Sequence, residues 1–127
     1  MENETIMQID QIWVRKRGSL IPVPVMAIQY ISVVNQHCMI HAGEFTLQVR
    51  YNLGTLQEWL PNDVFFRVHR KYVVNAKFVT TLRRNSVNIG EMQFPLSRAN
   101  RRRLFEVLSQ NRIGRRRRKA SKPGLGA

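Results

Sequence analysis

The sequence predicts a mainly β protein, a sandwich or barrel-like body with one short central helix and one C-terminal helix. Three observations support this prediction. Apolar residues alternate with other residues over much of the chain, β-branched and aromatic residues are enriched in the same stretches, and turn-forming residues separate those stretches at short intervals. Helical periodicity is confined to two stretches.

The strands are predicted from period-two runs, which are clearest at 28–34 and 45–51. Residues 65–74 and 79–82 continue the β-rich composition. Pro22 and Pro24 stand two positions apart, so their missing N–H groups lie on the same side, which favours an edge strand. Turns are predicted between the runs, at 17–18, 35–36, 42–43, 84–86 and 90–91.

Two helices are predicted from capping and periodicity. Residues 55–58 (TLQE) have the capping-box pattern, which predicts Thr55 as the N-cap of a short helix over 56–60 that Pro61 ends. A second helix is predicted over about 98–110, with Ser97 as its N-cap. Its apolar face would be formed by Leu104, Val107 and Leu108.

Composition narrows the class of protein. A chain of 127 residues with 43% apolar residues can bury a core without a disulfide or a metal. The single cysteine, Cys38, excludes an internal disulfide and fits a reducing compartment. The longest apolar stretch, 21–34, is too short to span a bilayer as a helix, and the acidic start has no signal-peptide pattern. We expect a cytoplasmic protein without membrane insertion.

Charge is unevenly distributed along the chain. The net charge is +13; residues 1–97 hold ten basic and seven acidic residues, and residues 98–127 hold eleven basic residues and one acidic residue. A strongly basic end on a nearly balanced body indicates a polyanionic partner, with nucleic acid favoured over a membrane surface.

Residues 111–127 are predicted to be a disordered basic tail. Its run of five cations would neutralise phosphates and add affinity without sequence information. The alternative is a solvated tail that serves only solubility. The residues expected to contact phosphates are Arg115, Arg116, Arg117, Arg118 and Lys119.

A central motif at 65–75 (FFRVHRKYVVN) interrupts its apolar pattern with Arg70 and Lys71, as an exposed turn would. An arginine on a short turn suits a bidentate contact to guanine, and a neighbouring lysine suits a phosphate. His69, between Val68 and Arg70, is interpreted as a structural histidine that makes hydrogen bonds.

Catalytic and metal sites are not indicated. In a strand, His37 and His41 share a face while Cys38 points to the other, which breaks a His-Cys-His ligand set. The sequence contains no zinc-type ligand spacing and none of the common nucleophile or phosphate-loop motifs. We therefore predict no enzyme activity, no cofactor and no metal site.

The motif at 65–75, with Val79 after it, resembles the signature of the LytTR DNA-binding domain, the LytR/AlgR type of bacterial transcription regulator. That signature combines an aromatic residue, an arginine, His-Arg-Ser and Val-Asn with apolar residues. Three further pieces match in order, at 28–31, 56–60 and 94–98, with Leu104 following. Lys71 replaces the usual serine of the family.

The resemblance implies an elongated, sandwich-like arrangement of antiparallel sheets that binds direct-repeat sites on double-stranded DNA with loops in successive major grooves. The implied DNA-binding domain covers 20–110, after an N-terminal strand or extension at 1–19, and the basic tail at 111–127 lies outside the family pattern. By position, the implied DNA-binding residues are His37, Arg70, Lys71, Ser97, Arg98, Arg101 and Arg102.

No receiver domain precedes the motif, so the resemblance implies a stand-alone regulator controlled by abundance, by a ligand or by a regulatory protein partner. We expect a monomer in solution, paired on DNA. Two alternatives stay open. One is an RNA-binding or ribosome-associated basic protein, although no aromatic platform or GXXG loop is present. The other is a module whose tail docks on an acidic partner or membrane.

Overall fold

The computed structural model describes residues 11–110, which form a mainly β, antiparallel fold with two α-helices, as predicted. Short 3-10 turns lie at Val25–Ala27 and Ala76–Phe78. The elements are β1 (Gln11–Lys16), β2 (Ser19–Pro24), β3 (Ile28–Val34), β4 (His37–Ala42), β5 (Phe45–Val49), α1 (Leu53–Glu58), β6 (Phe65–His69), β7 (Tyr72–Asn75), β8 (Thr81–Leu82), β9 (Ser86–Ile89), β10 (Met92–Pro95) and α2 (Arg98–Gln110).

A five-stranded sheet, in the order β5-β4-β3-β7-β6, forms the middle of the molecule. One face packs on the β1–β2 hairpin and α1 in a first core that includes Val14, Ile31 and Phe65. The other face packs on the β8–β10 sheet and α2 in a second core that includes Val74 and Phe94. The central strands β3 and β7 are covered on both faces, and they contribute Ile31 and Val73 to the first core and Tyr30 and Val74 to the second.

The short helix α1 corrects the predicted boundary and the predicted cap. It spans Leu53–Glu58 rather than 56–60, and its N-cap is Asn52, whose side chain accepts a hydrogen bond from the Thr55 N–H at 2.8 Å. Asparagine is a stronger N-cap than threonine. The earlier start also places both Leu53 and Leu56 in the first core.

Helix α2 spans Arg98–Gln110, as predicted, and buries Leu104 completely in the second core. Ser97 precedes it at the predicted cap position. The Ser97 hydroxyl accepts a hydrogen bond from the Asn100 side-chain amide at 2.7 Å, and the Asn100 N–H donates to the Ser97 carbonyl at 3.1 Å. The start of α2 is therefore held by a small polar cluster.

The N-terminal strand β1 pairs with the proline-containing β2 in a two-stranded hairpin. Pro22 and Pro24 are exposed on this hairpin, in agreement with the edge strand expected from their spacing. β1 buries Ile12 and Val14 against the central sheet, so the segment before residue 20 contributes to the first core. The predicted tail at 111–127 lies outside the described residues.

Candidate nucleic-acid interface

The turn between β3 and β4 presents His37. Its two residues, Asn35 and Gln36, have φ angles of 50° and 70°. Two consecutive left-handed residues are typical of a tight type I′ hairpin, which matches the twist of the flanking strands. The half-buried His37 ring is held by its Nδ1, which lies 3.1 Å from the Asn35 carbonyl oxygen.

The turn between β6 and β7 presents Arg70 and Lys71, both exposed. The Lys71 N–H donates to Nδ1 of His69 at 3.2 Å, so His69 closes the turn as a structural histidine. The Arg67 guanidinium donates to the carbonyls of His69 and Arg70, at 3.3 and 2.7 Å. These bonds hold the turn backbone and leave the Arg70 and Lys71 side chains free to extend outward.

The two turns lie at the same edge of the central sheet. β3 pairs with β7 antiparallel, with Ser32 opposite Tyr72, so the end of β3 meets the start of β7. The Val33 N–H donates directly to the Lys71 carbonyl at 3.0 Å. The β3–β4 turn and the β6–β7 turn are therefore neighbours, although they are far apart in sequence.

The start of α2 joins the same edge through a β-bulge. Arg67 pairs with Val73 and His69 with Tyr72, so Val68 has no partner in the ladder. The Val68 carbonyl instead accepts a hydrogen bond from the Ser97 N–H at 2.8 Å. Bulges commonly redirect a strand beside a functional site. Here the bulge attaches Ser97, and the exposed Arg98 after it, beside the β6–β7 turn.

We call this surface the turn edge and define it by His37, Arg70, Lys71, Ser97 and Arg98. From β4, which starts at His37, to β6 the sheet has three interstrand spacings of about 4.8 Å, so this part of its edge is about 14 Å wide. That width corresponds to about four base pairs of B-DNA, since successive pairs along a strand are about 3.4 Å apart.

Arg101 and Arg102, two of the predicted DNA-binding residues, lie on α2 behind the turn edge. α2 packs along β6 towards the 3-10 turn at the opposite end of β7, so Arg101 and Arg102 follow the turn edge by about 5–6 Å along the helix axis. The Arg102 side chain is 89% exposed and lies 3.9 Å from Glu106. The half-buried Arg101 has its guanidinium carbon 5.8 Å from the Phe105 ring centroid.

Sequence reasoning missed three basic residues near the turn edge: Arg83 and Arg84, which are exposed beside it, and Arg67, which supports it. The Leu96 N–H donates to the Asn85 carbonyl at 3.0 Å, which places the exposed Arg83 and Arg84 beside the start of α2. Arg67 was missed as the residue that supports the β6–β7 turn. The Arg-Arg-Asn sequence at 83–85 indicates a basic turn between β8 and β9. Only the tertiary hydrogen bond from Leu96 to Asn85 shows that this turn lies near the turn edge.

Charge is polarised across the molecule. Residues 11–110 contain fourteen basic and five acidic residues. Glu44 lies in the β4–β5 turn and Asp63 two residues before the start of β6, and both positions are at the opposite edge of the sheet. No acidic residue occurs in either turn of the turn edge or at positions 97 and 98. A one-signed surface of this kind attracts a polyanion.

His41 and Cys38 lie on opposite faces of β4, as the sequence predicted, with Cys38 buried. Burial raises the pKa of the Cys38 thiol, an effect that nearby Arg67 partly opposes, so the thiol stays protonated at neutral pH. Within residues 11–110, no three His, Cys, Asp or Glu side chains form a group that could hold a metal ion.

His41 stacks on Tyr30 with ring centroids 4.0 Å apart, and its Nε2 lies 3.2 Å from the Ser32 hydroxyl. Burial lowers the pKa of His41. The unfolded chain therefore binds more protons near pH 6, and the stability due to neutral His41 is present above its unfolded pKa of about 6.5 and is lost as the pH falls through the folded value.

We expect the free energy of unfolding, measured with urea, to decrease between pH 7.5 and pH 5.5. The His41→Gln variant should show a weaker decrease, because it removes the group that gains a proton on unfolding. His37→Gln is the matched control at the β3–β4 turn. An equal loss of pH dependence in both variants would contradict the assignment to His41.

Neither helix within the described residues has the length and apolar character needed to cross a membrane.

In comparisons with known proteins, the family model of the LytTr DNA-binding domain matches residues 18–109. A search of curated proteins gave no significant match. A solved structure with a similar fold is the LytTr DNA-binding domain of a Bacillus cereus protein described as a methyl-accepting/DNA response regulator.

That structure has a TM-score of 0.66 and 20% sequence identity, and the alignment covers 80% of this chain and 98% of that chain. The family is one of DNA-binding domains and not of enzymes. Because the family model spans most of the chain and the fold agrees with it, the protein belongs to the LytTr DNA-binding domain family and is a DNA-binding regulator of transcription.

Proposed function

We propose that the turn edge enters the major groove of duplex DNA and recognises one half of a direct-repeat site. One observation carries this proposal: two turns and a helix start, distant in sequence, are joined by backbone hydrogen bonds into one edge without acidic side chains. A β body that presents rigid turns can reach base edges because the major groove is about 12 Å wide.

Each residue of the turn edge has a proposed role. Arg70 extends from a turn whose backbone is already held, so it is assigned the bidentate contact to guanine O6 and N7. Lys71 and Arg98 neutralise the phosphates on either side. Ser97, at the start of α2, offers a phosphate site at a helix N-terminus. His37 reaches a base edge from the neighbouring turn, and Arg101 and Arg102 make phosphate contacts set back along α2.

A direct repeat needs one copy of the protein for each half-site, in the same orientation. Such an arrangement requires no stable dimer in solution, so we propose a monomer that pairs on DNA. A DNA partner implies a protein of the bacterial cytoplasm that works at the chromosome. We also propose that a regulatory protein partner controls the protein.

The basic tail is proposed to add affinity. α2 has thirteen residues, so its last residue, Gln110, lies about 18 Å from the turn edge along the helix axis. Gln110 thus lies away from the base-reading residues, and we assign the cations that follow it in sequence to phosphates outside the recognised bases. Removing residues 112–127 should weaken binding to all DNA sequences about equally.

The test is a selection of binding sites from random duplex DNA, with the full chain and with a chain that ends at Asn111, at two salt concentrations. We expect both proteins to enrich the same repeated motif. The truncated protein should have a smaller salt dependence, because each lost phosphate contact lowers the slope of log K against log salt by about 0.9. Binding without an enriched motif would contradict the proposal.

An RNA partner predicts a different result. If structured RNA displaced the selected duplex at equal concentration, the basic surface would be serving RNA, and the turn edge would lose its assigned role. We expect the duplex to compete better, since the turn edge presents side chains on rigid turns that suit a wide major groove, which A-form RNA lacks.

A further inference from the structure

A second basic surface lies beside the turn edge, at the end of β5. The turn between β1 and β2 packs near β5 and the residues after it, and the two segments enclose a cleft of about 610 Å³. Arg15, Lys16, Arg17 and Arg50 line this cleft, together with the polar side chains of Gln48 and Tyr51. We call it the β1–β2 cleft.

Within the part of the chain that the structure describes, no acidic side chain neutralises the four cations of the β1–β2 cleft. Within residues 11–110, none of them lies within 4.0 Å of a carboxylate oxygen. Four like charges around one cavity repel one another, and a bound anion relieves that repulsion. Three of the four are arginines, whose planar guanidinium groups match the geometry of phosphate oxygens.

Three of these cations, Arg15, Lys16 and Arg17, lie in the β1–β2 turn or directly before it, and the backbone of this turn has a well-defined conformation. Arg17 and Gly18 have φ angles of 52° and 82°, so both adopt the left-handed conformation of a tight two-residue hairpin turn. On either side of the turn, Lys16 pairs with Ser19 and Arg15 with Leu20. The Arg15 and Arg17 side chains therefore extend from a fixed backbone.

The cleft continues the turn edge on the side away from α2. Val49, the last residue of β5, pairs with Cys38, so Arg50 follows at the level of His37. The sheet edge thus has α2 at one end, the two turns in the middle and the β1–β2 cleft at the other end. A duplex that lies along the turn edge and continues past β5 would therefore come near the cleft.

We propose that the β1–β2 cleft binds phosphates of the DNA backbone that flank the bases recognised by the turn edge. This inference rests on the proposed function, because the cleft and the turn edge must face the same duplex. Arg15, Lys16 and Arg17 precede residue 18, where the family match begins, so this contact extends the DNA footprint beyond the matched domain.

The test uses the full chain with Arg17→Asn and Arg50→Gln combined. Asparagine tolerates the left-handed φ of Arg17, so the hairpin should keep its shape. Lys77→Gln is the control, because Lys77 is exposed and follows β7 at the opposite edge of the sheet. Thermal unfolding of each variant checks that the fold is intact.

Binding is measured with two duplexes that carry the selected site. One ends at the site, and the other continues by half a helical turn on the side of the cleft. We expect the double variant to bind the longer duplex on the order of tenfold more weakly than the wild type, with the salt slope lowered by about 2 and the base preference unchanged. The wild type should gain affinity from the extension, and the double variant should not.

Two results would overturn the inference while leaving the proposed function intact. One is equal affinity and salt slope for the double variant and Lys77→Gln on both duplexes. The other is thermal stabilisation of the wild type, but not the double variant, by inorganic phosphate or ATP with no difference in DNA binding, which would assign the cleft to a small phosphate ligand. Failure of the wild type to select any motif would instead contradict the proposed function.

Discussion

Replacing Arg70 by alanine is expected to weaken binding to the selected DNA site by about 1–3 kcal/mol and to relax the preference at one base pair. The side chain is exposed at the tip of the β6–β7 turn. The turn itself should persist, because Arg67 holds the Arg70 carbonyl, which alanine retains. The lost free energy is then that of a bidentate contact to a guanine.

The measurement is the affinity of Arg70→Ala for the selected site and for a set of duplexes with each position changed in turn. The wild type should discriminate at a position where Arg70→Ala does not. Lys77→Ala removes an exposed cation at the opposite edge of the sheet and should leave the base preference as it is in the wild type. Unchanged affinity and unchanged preference in Arg70→Ala would exclude Arg70 from base recognition.

Replacing Phe94 by alanine is expected to lower the free energy of unfolding by about 3–5 kcal/mol. Phe94 is 1% exposed and lies between the β8–β10 sheet and the central sheet. Its ring centroid is 4.7 Å from that of Tyr30 and 5.3 Å from that of Tyr72. The substitution removes both aromatic contacts and leaves a cavity in the second core.

A loss of this size is a large part of the stability of a small domain, which is typically about 5–15 kcal/mol. Phe94→Leu is therefore measured beside it, and its loss should be smaller because the leucine fills part of the space. Phe45→Ala is the matched control, since Phe45 is 46% exposed on β5 and should cost much less. Equal urea midpoints for Phe94→Ala and Phe45→Ala would show that the Phe94 side chain does not stabilise the packing of the β8–β10 sheet on the central sheet.

The Phe94 position also links stability to DNA recognition. β10 leads through Leu96 to Ser97, whose N–H is bonded to the carbonyl of Val68 at the turn edge. Loosening β10 would release the start of α2 from the β6–β7 turn. The stabilities of the second core and of the turn edge are therefore coupled.

Local patterns were sufficient to predict most elements. Alternation predicted β3 over the residues where it is observed, and the apolar face around Leu104 predicted α2 with the right bounds. The boundary of α1 was wrong because two capping signals, Asn52 and Thr55, compete over three residues. The burial of both Leu53 and Leu56 favours the start at Leu53, and that burial is a tertiary contact.

The candidate site was predicted in part. The sequence by itself determined that Arg70, Ser97 and Arg98 lie in motifs that resemble those of a DNA-binding family, because those motifs are local in the chain, and the resemblance then implied His37 by its position. Only the tertiary structure decided that they share one edge, since the bond from Val33 to Lys71 and the bond from Ser97 to Val68 join segments distant in sequence. The β1–β2 cleft was missed for the same reason: Arg50 lies more than thirty residues from Arg17, and only the packing of β1 near β5 brings the two charges to one cavity.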